Sequence, residues 1–325
     1  MNNFGRDKLL GWVNQAFLLS VVCFSLAGCS KHKQTGAFDI TDRLHGLWAR
    51  DGAQVWAAGE QGAILHSADG GGRWRPQKSG TVERLYSIFG SNSQLWVVGA
   101  DGDILHSTDG GDRWQPQKSG TDRQLSSVYA IDLQVWAVGE RGTILYSANG
   151  GRDWQSKNSG TKRQLYSVYA TGSQVWAVGD GGVIIHSADG GQNWRPQKSD
   201  EALSLRSVYG SGSQVWVVGD SGTILHSVDG GEHWQLQTSG TGETLAALCG
   251  GGPELWIVGT DGTILYSADG GQKWQPQVSP TAHHLLSVFN IGSQLWSVGY
   301  GGAILHSVDG GRNWQRQTTE GLPSG

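Results

Sequence analysis

The phrase Ser-x-Asp-Gly-Gly-x-x-Trp recurs along this chain at a constant step of 40 positions, seven times in all. Its acidic slot holds Asp69, Asp109, Asp189, Asp229, Asp269 and Asp309, with Asn149 in the remaining copy. The closing tryptophans are Trp74, Trp114, Trp154, Trp194, Trp234, Trp274 and Trp314. No other feature constrains the fold as tightly. A unit this short cannot bury an apolar face alone and must bury it against its neighbours, so the chain is one array of like modules. The pattern also bears on function, because a catalytic centre needs unlike groups converging on one point and near-copies supply mostly like ones.

A single copy, Gln164 to Ser199, shows what each module is. Leu165-Tyr166-Ser167-Val168-Tyr169 predicts a first strand, and Gly172-Ser173 turns the chain. Gln174 to Val178 predicts a second strand, followed by a tight Asp180-Gly181-Gly182 turn that tolerates positive φ. Val183 to Ser187 predicts a third, and Asp189-Gly190-Gly191 turns again. Trp194 to Lys198 predicts a short fourth strand, placed at an edge because Pro196 cannot donate to a ladder. Four short antiparallel strands in about 40 residues predict a β-propeller blade. First strands begin near Leu44, Leu85, Leu125, Leu165, Leu205, Leu245 and Leu285, and second strands carry Trp56, Trp96, Trp136, Trp176, Trp216, Trp256 and Trp296. The expectation is an all-β, seven-bladed β-propeller over residues 44–325, with four antiparallel strands per blade. Each blade is complete in sequence, so closure needs no strand exchange, although Phe38 to Ile40 could add a strand to the last blade.

The repeated acid has a structural reading. A carboxylate at this position accepts backbone N–H groups of the turn that follows, and Gly-Gly supplies the permissive dihedrals. Asn149 fits, since an amide oxygen accepts the same bonds, whereas a general acid or metal ligand would not survive the exchange.

Residues 1–28 are an address. Arg6 and Lys8 precede an apolar run from Leu9 to Gly28, the pattern of a secretory signal. Its end, Leu26-Ala27-Gly28-Cys29, resembles a bacterial lipobox, which implies cleavage before Cys29 and lipidation of that residue. Residues 29–43 then form a tether, and the protein is expected to be exported and lipid-anchored at the cell envelope, on the periplasmic side of the inner or outer membrane. Cys23 lies inside the signal, and Cys249 fills a slot that elsewhere holds Phe89, Tyr129, Tyr169, Tyr209 and Phe289, so it is expected to be a buried, unpaired thiol. A net charge of −4 gives no global basic field for nucleic acid.

The repeated phrase resembles the Asp-box, or BNR, repeat of sialidases, some glucanases and sortilin-like receptors. The wider unit, Val135-Trp136-Ala137-Val138-Gly139 followed by Thr143-Ile144-Leu145-Tyr146-Ser147 and the box, is more similar to one family, that of the photosystem II stability and assembly factors and their bacterial relatives. The resemblance covers about Leu44 to Gln317. It implies a seven-bladed propeller exported across a membrane, in some members as a lipoprotein, that helps assemble a membrane complex. A photosynthetic member would work in the thylakoid lumen; many relatives come from bacteria without photosystems.

Individuality lies in two sets of loops expected on the face opposite the boxes. One set joins second and third strands: Glu60-Gln61, Ala100-Asp101, Glu140-Arg141, Asp180-Gly181, Asp220-Ser221, Thr260-Asp261 and Tyr300-Gly301. The other joins successive blades and includes Asp122-Arg123-Gln124, Lys162-Arg163-Gln164 and Ala282-His283-His284. Arg43, Arg84, Arg123, Lys162, Arg163 and Arg206 make one sector basic, near the channel mouth, and are candidates to dock an acidic or carboxylate-bearing segment of a protein partner. Glu83, Asp122 and Glu201 partly offset that charge. His66, His106, His186, His226 and His306 alternate with Tyr146 and Tyr266 one per blade, so they are expected to be half-buried strand residues, too dispersed for one metal site.

The leading expectation is therefore a non-catalytic, lipid-anchored, monomeric propeller binding a membrane protein or complex, with no cofactor, no metal and no nucleic acid. The alternatives are an Asp-box glycoside hydrolase or a carbohydrate-binding propeller. A glycosidase needs placed carboxylates; the nearest approach is Tyr300 with Glu60 and Glu140, on loops that are all minimal. Carbohydrate binding through tryptophan fits poorly, because the fourteen repeated tryptophans are expected between blades.

Overall fold

The structure is a computed structural model and describes residues 43–199 and 202–317. Cys29, the signal sequence, the tether to residue 42 and the segment Phe38 to Ile40 lie outside the described residues.

Twenty-eight strands form seven four-stranded antiparallel sheets, each built from four strands consecutive in sequence. The innermost strands are Leu44–Ala49, Leu85–Ser91, Leu125–Ile131, Leu165–Thr171, Leu205–Ser211, Leu245–Gly251 and Leu285–Ile291. Neighbouring inner strands touch, and that of blade one meets those of both blade two and blade seven, so the ring closes. The last blade takes all four of its strands from its own repeat, so no strand is exchanged among the described residues. The fourth strands are the outer edges, and Pro76, Pro116, Pro196 and Pro276 sit in them as their missing N–H requires. Blade one differs in its first hairpin, where Asp51 accepts the Ala53 and Gln54 N–H groups at 2.8 and 2.7 Å to hold a longer loop.

The core is a set of seven seams. One cluster joins Trp56, Ala58 and Ile64 of blade one to Leu85, Ile88 and Val97 of blade two, and the same arrangement repeats around the ring. The cluster that joins Trp296, Val298 and Ile304 to Leu44, Leu47 and Val55 closes it. The seven second-strand tryptophans are at most 1 % exposed, and burying each contributes roughly 4–6 kcal/mol of gross transfer free energy. Most of their indole Nε1–H groups reach the next blade: Trp96 donates to the Gly150 carbonyl, Trp136 to Gly190, Trp176 to Gly230 and Trp256 to Gly310, at 3.2–3.3 Å.

The boxes act as turns. In blade four the Ser187 hydroxyl donates to Asp189 Oδ1 at 2.7 Å and accepts the Gly191 N–H at 2.8 Å, while Asp189 Oδ1 takes the Gln192 and Asn193 N–H groups at 3.0 and 2.9 Å. Asn149 Oδ1 accepts the Ser147 hydroxyl and the Asp153 N–H in the same way, at 2.9 and 3.0 Å. These hydrogen bonds, the backbone one first, hold the Asp69, Asp109 and Asp269 carboxyls below their ordinary pKa. Gly191 has φ +87°, and a side chain there would press on the Trp136 indole of the preceding blade. Each box is also tied to its own first hairpin, as where the Gly150 N–H donates to the Leu133 carbonyl at 2.8 Å.

Candidate functional face

The face opposite the boxes is built by one repeated hydrogen bond. The loop after each second strand is a short 3₁₀ turn, and the N–H of its first residue donates to the carbonyl of the residue just before its own blade's inner strand. Glu60 donates to Arg43, Asp180 to Gln164, Asp220 to Ser204 and Tyr300 to His284, at 2.9–3.0 Å. This bond brings both variable loop sets onto one face. Gly102 in such a turn has φ +72°, and a Cβ would collide with the Thr121 carbonyl of the link to the next blade, so glycine keeps turn and link close together.

On this frame the six basic candidates fall into different situations. Arg206, on the inner strand of blade five, is locked: its Nε and a terminal nitrogen reach the Asp220 carboxylate at 2.8 and 3.0 Å, and its guanidinium lies 4.6 Å from the Tyr166 ring centroid. Its side chain is 35 % exposed. Arg84 Nε lies 2.7 Å from Glu60 Oε2 with its side chain 60 % exposed, and Arg163 lies 3.2 Å from Asp180 with 63 % exposed. Arg43 covers the Tyr300 ring at 4.1 Å. Among the described residues the Arg123 side chain makes one hydrogen bond, to the Thr143 hydroxyl at 3.4 Å, and Lys162 has no ion-pair partner. The exposed charge thus gathers on the links entering blades two to four.

The balancing acids are not the chain neighbours Glu83 and Asp122 but Glu60, Asp180 and Asp220, because the 3₁₀ turns fold over the links. Glu201 lies outside the described residues. Glu60 is shared between Arg84 and His45, whose Nε2 is 3.2 Å away. Burial pushes the His45 imidazole below its ordinary pKa, and Glu60 opposes that shift.

Other candidates separate cleanly. His66, His106, His186, His226 and His306 stack on the second-strand tryptophans with ring centroids 4.5–5.1 Å apart. Burial lowers the pKa of all five. His284 Nδ1 accepts the Asp261 N–H at 3.0 Å and meets Tyr300 edge-on. Among the described residues no three His, Cys, Asp or Glu side chains converge as a metal site. Tyr300, Glu60 and Glu140 stand on blades seven, one and three; Tyr300 is covered by Arg43, Glu60 is held by Arg84, and Glu140 faces Arg141 at 3.5 Å. Cys249 is buried and unpaired, and burial raises its thiol pKa.

Sequence reasoning missed the serines that stitch the channel wall: the hydroxyl oxygens of Ser87, Ser127, Ser167 and Ser207 each accept an N–H from the next inner strand, at 3.2–3.3 Å. Their recurrence at the 40-residue step was the available signal.

Comparison with known proteins agrees with this architecture. The family described as photosynthesis system II assembly factor YCF48 matches residues 124–204 and 251–324. A solved structure described as YCF48 bound to D1 peptide superposes with a TM-score of 0.71 at 21 % identity, covering 82 % of this chain and 94 % of that one. YCF48 from Cyanidioschyzon merolae gives 0.67 at 19 % identity, covering 82 % and 95 %. A GH74 xyloglucanase from Xanthomonas campestris gives 0.69 at 13 % identity; it covers 86 % of this chain but only 54 % of the enzyme, so this likeness is one of fold. Comparison with curated protein sequences finds no match. The chain is thus a seven-bladed propeller, with the stretches 124–204 and 251–324 similar to the photosystem II assembly factor YCF48 family.

Proposed function

We propose that this protein is a non-catalytic docking propeller that uses the face of 3₁₀ turns and blade links to hold a segment of a membrane-protein partner during assembly or maintenance of a membrane complex. The observation that carries this reading is the gathering of exposed Arg84, Arg123, Lys162 and Arg163 on successive links of a ring whose other face is near-identical turns. Guanidinium groups suit a carboxylate-bearing or acidic extended segment, which they bind with paired N–H groups. The family match over residues 124–204 and 251–324 and the likeness to the solved YCF48 with a D1 peptide support a peptide of a membrane complex as the occupant. Lipidation of Cys29 would hold the propeller beside such a partner at the cell envelope, and residues 29–43 would supply the reach. The single-blade dispersal of Glu60, Glu140 and Tyr300 speaks against glycoside hydrolysis, which needs two carboxylates across one bond.

The test is capture from solubilised membranes by the wild-type chain and by the triple variant Arg84→Glu, Arg123→Glu, Arg163→Glu. Loss of the captured protein with an unchanged melting temperature supports the reading. Equal capture by both removes the basic face from the account.

A further inference from the structure

Along the ring axis the inner strands enclose a cavity of about 410 Å³, to which every blade contributes. One branched aliphatic residue per blade, from Leu47 in the first to Val288 in the last, lines its wall. Beside that layer runs an arc of rings. Phe89 and Tyr129 have centroids 4.4 Å apart, Tyr129 and Tyr169 5.1 Å, and Tyr169 and Tyr209 5.4 Å. Trp48 links Phe89 to Phe289 at 6.3 and 6.4 Å. Six blades thus supply an aromatic side chain and one does not. In blade six the slot holds Cys249, and the next residue is Gly250, so the arc has a single notch between Tyr209 and Phe289.

The chemistry of the lining is restrictive. It holds no Asp, Glu, Lys, Arg or His, so an ion entering it would lose its water without gaining a counter-charge. Burial pushes the Tyr209 hydroxyl up to about 12 and raises the Cys249 thiol, which favours the neutral form of both. Tyr209 already donates to the Gly250 carbonyl at 2.8 Å. The hydroxyls of Ser87 and Ser127, which line the cavity, accept an N–H each and keep a proton to donate, and the Asn290 amide adds further donors. A cavity of this size, walled by twelve aromatic and aliphatic residues with polar surface exposed between them in about equal measure, has the dimensions of a small-molecule site.

We propose that the channel cavity is a binding site for an uncharged ring compound bearing a carbonyl-type acceptor, its ring seated against the aromatic arc at the Cys249 notch and its oxygen facing the Ser87, Ser127 or Asn290 donors. The site is independent of the docking face, since none of the six basic candidates lines it.

Acetophenone is a suitable probe, with benzoate as its charged counterpart. The full chain labelled with 3-fluorotyrosine reports on both through ¹⁹F spectra. Acetophenone should shift the Tyr129, Tyr169 and Tyr209 signals saturably while leaving Tyr146 and Tyr266 in place, and benzoate should shift none. Cys249→Phe, which completes the arc with a residue this slot accepts in two other blades, should weaken acetophenone binding at least about tenfold. The absence of any shift up to about 10 mM probe, equal binding of benzoate, or unaltered binding in Cys249→Phe would each overturn the proposal. If that variant does not fold, the wild-type spectra still decide, because shifts outside the three lining tyrosines contradict the site.

Discussion

The indole Nε1–H of Trp296 donates to the carbonyl of Gly70 at 2.9 Å, joining residues 226 positions apart and the last blade to the first. The same bond joins other neighbouring blades, so the closing seam is chemically the same as the internal ones. Trp56 and Trp216 occupy the same slot but have no partner for Nε1 among the described residues. Trp296→Phe should therefore cost more than Trp216→Phe. Both lose volume in a packed seam, but the first also strands a buried carbonyl, adding about 1–2 kcal/mol. Urea unfolding of the two variants checks this, and equal losses would show that the indole bond contributes nothing to closure.

Acid should loosen the ring in two steps. Burial lowers the pKa of His66, His106, His186, His226 and His306 below the ordinary 6.5. As pH falls through 6.5 the unfolded chain takes up these protons first, so stability is full above that value and declines toward the depressed folded pKa values. The box aspartates act lower: Asp309 falls from 3.8 to about 2, held by the Asn313 side chain first, so its contribution is present above 3.8 and lost toward 2. His233, raised by Asp229, works the other way, but it is one exposed group against five. The melting temperature should fall between about pH 7 and about pH 5. Replacing His186 and His226 by Tyr, the residue present at 146 and 266, should flatten that fall. Scanning calorimetry against pH measures it, and a flat wild-type profile would show that these imidazoles are not desolvated.

Arg206 and Arg123 should part company. Removing Arg206 leaves Asp220 without its paired N–H groups and uncovers Tyr166. After discounting for solvent screening, Arg206→Ala should cost about 1 kcal/mol. Arg123, with one long side-chain contact, should change stability little when replaced by Ala and act only on partner binding. Thermal unfolding of the two variants separates them, and identical stability would return Arg206 to the free docking set.

The fold was legible because the architecture is written in period. The 40-residue step, the Pro positions of the outer strands and the Asn149 exchange each have one physical reading, and the strands and turns follow it. The face was legible as a set of loops but not as a set of partners. Arg163 pairs with an acid 17 positions on and Arg206 with one 14 positions on, across a turn whose backbone bond to the link no composition reveals. The aromatic arc was visible only as a column of similar residues, with Cys249 as its exception. That the column encircles a cavity follows from closure of the ring, which brings residues 40 positions apart to within about one ring width.

The most direct test of the central claim, that partner binding belongs to the face of links and 3₁₀ turns, is site-specific photo-crosslinking in intact cells. A photoreactive residue at Asp122 or Lys162 samples that face, and one at Asp112 or Gln192 samples the box turns. The account predicts one discrete adduct with a membrane protein from the first pair of positions and none from the second. An adduct formed only from the box turns would contradict it.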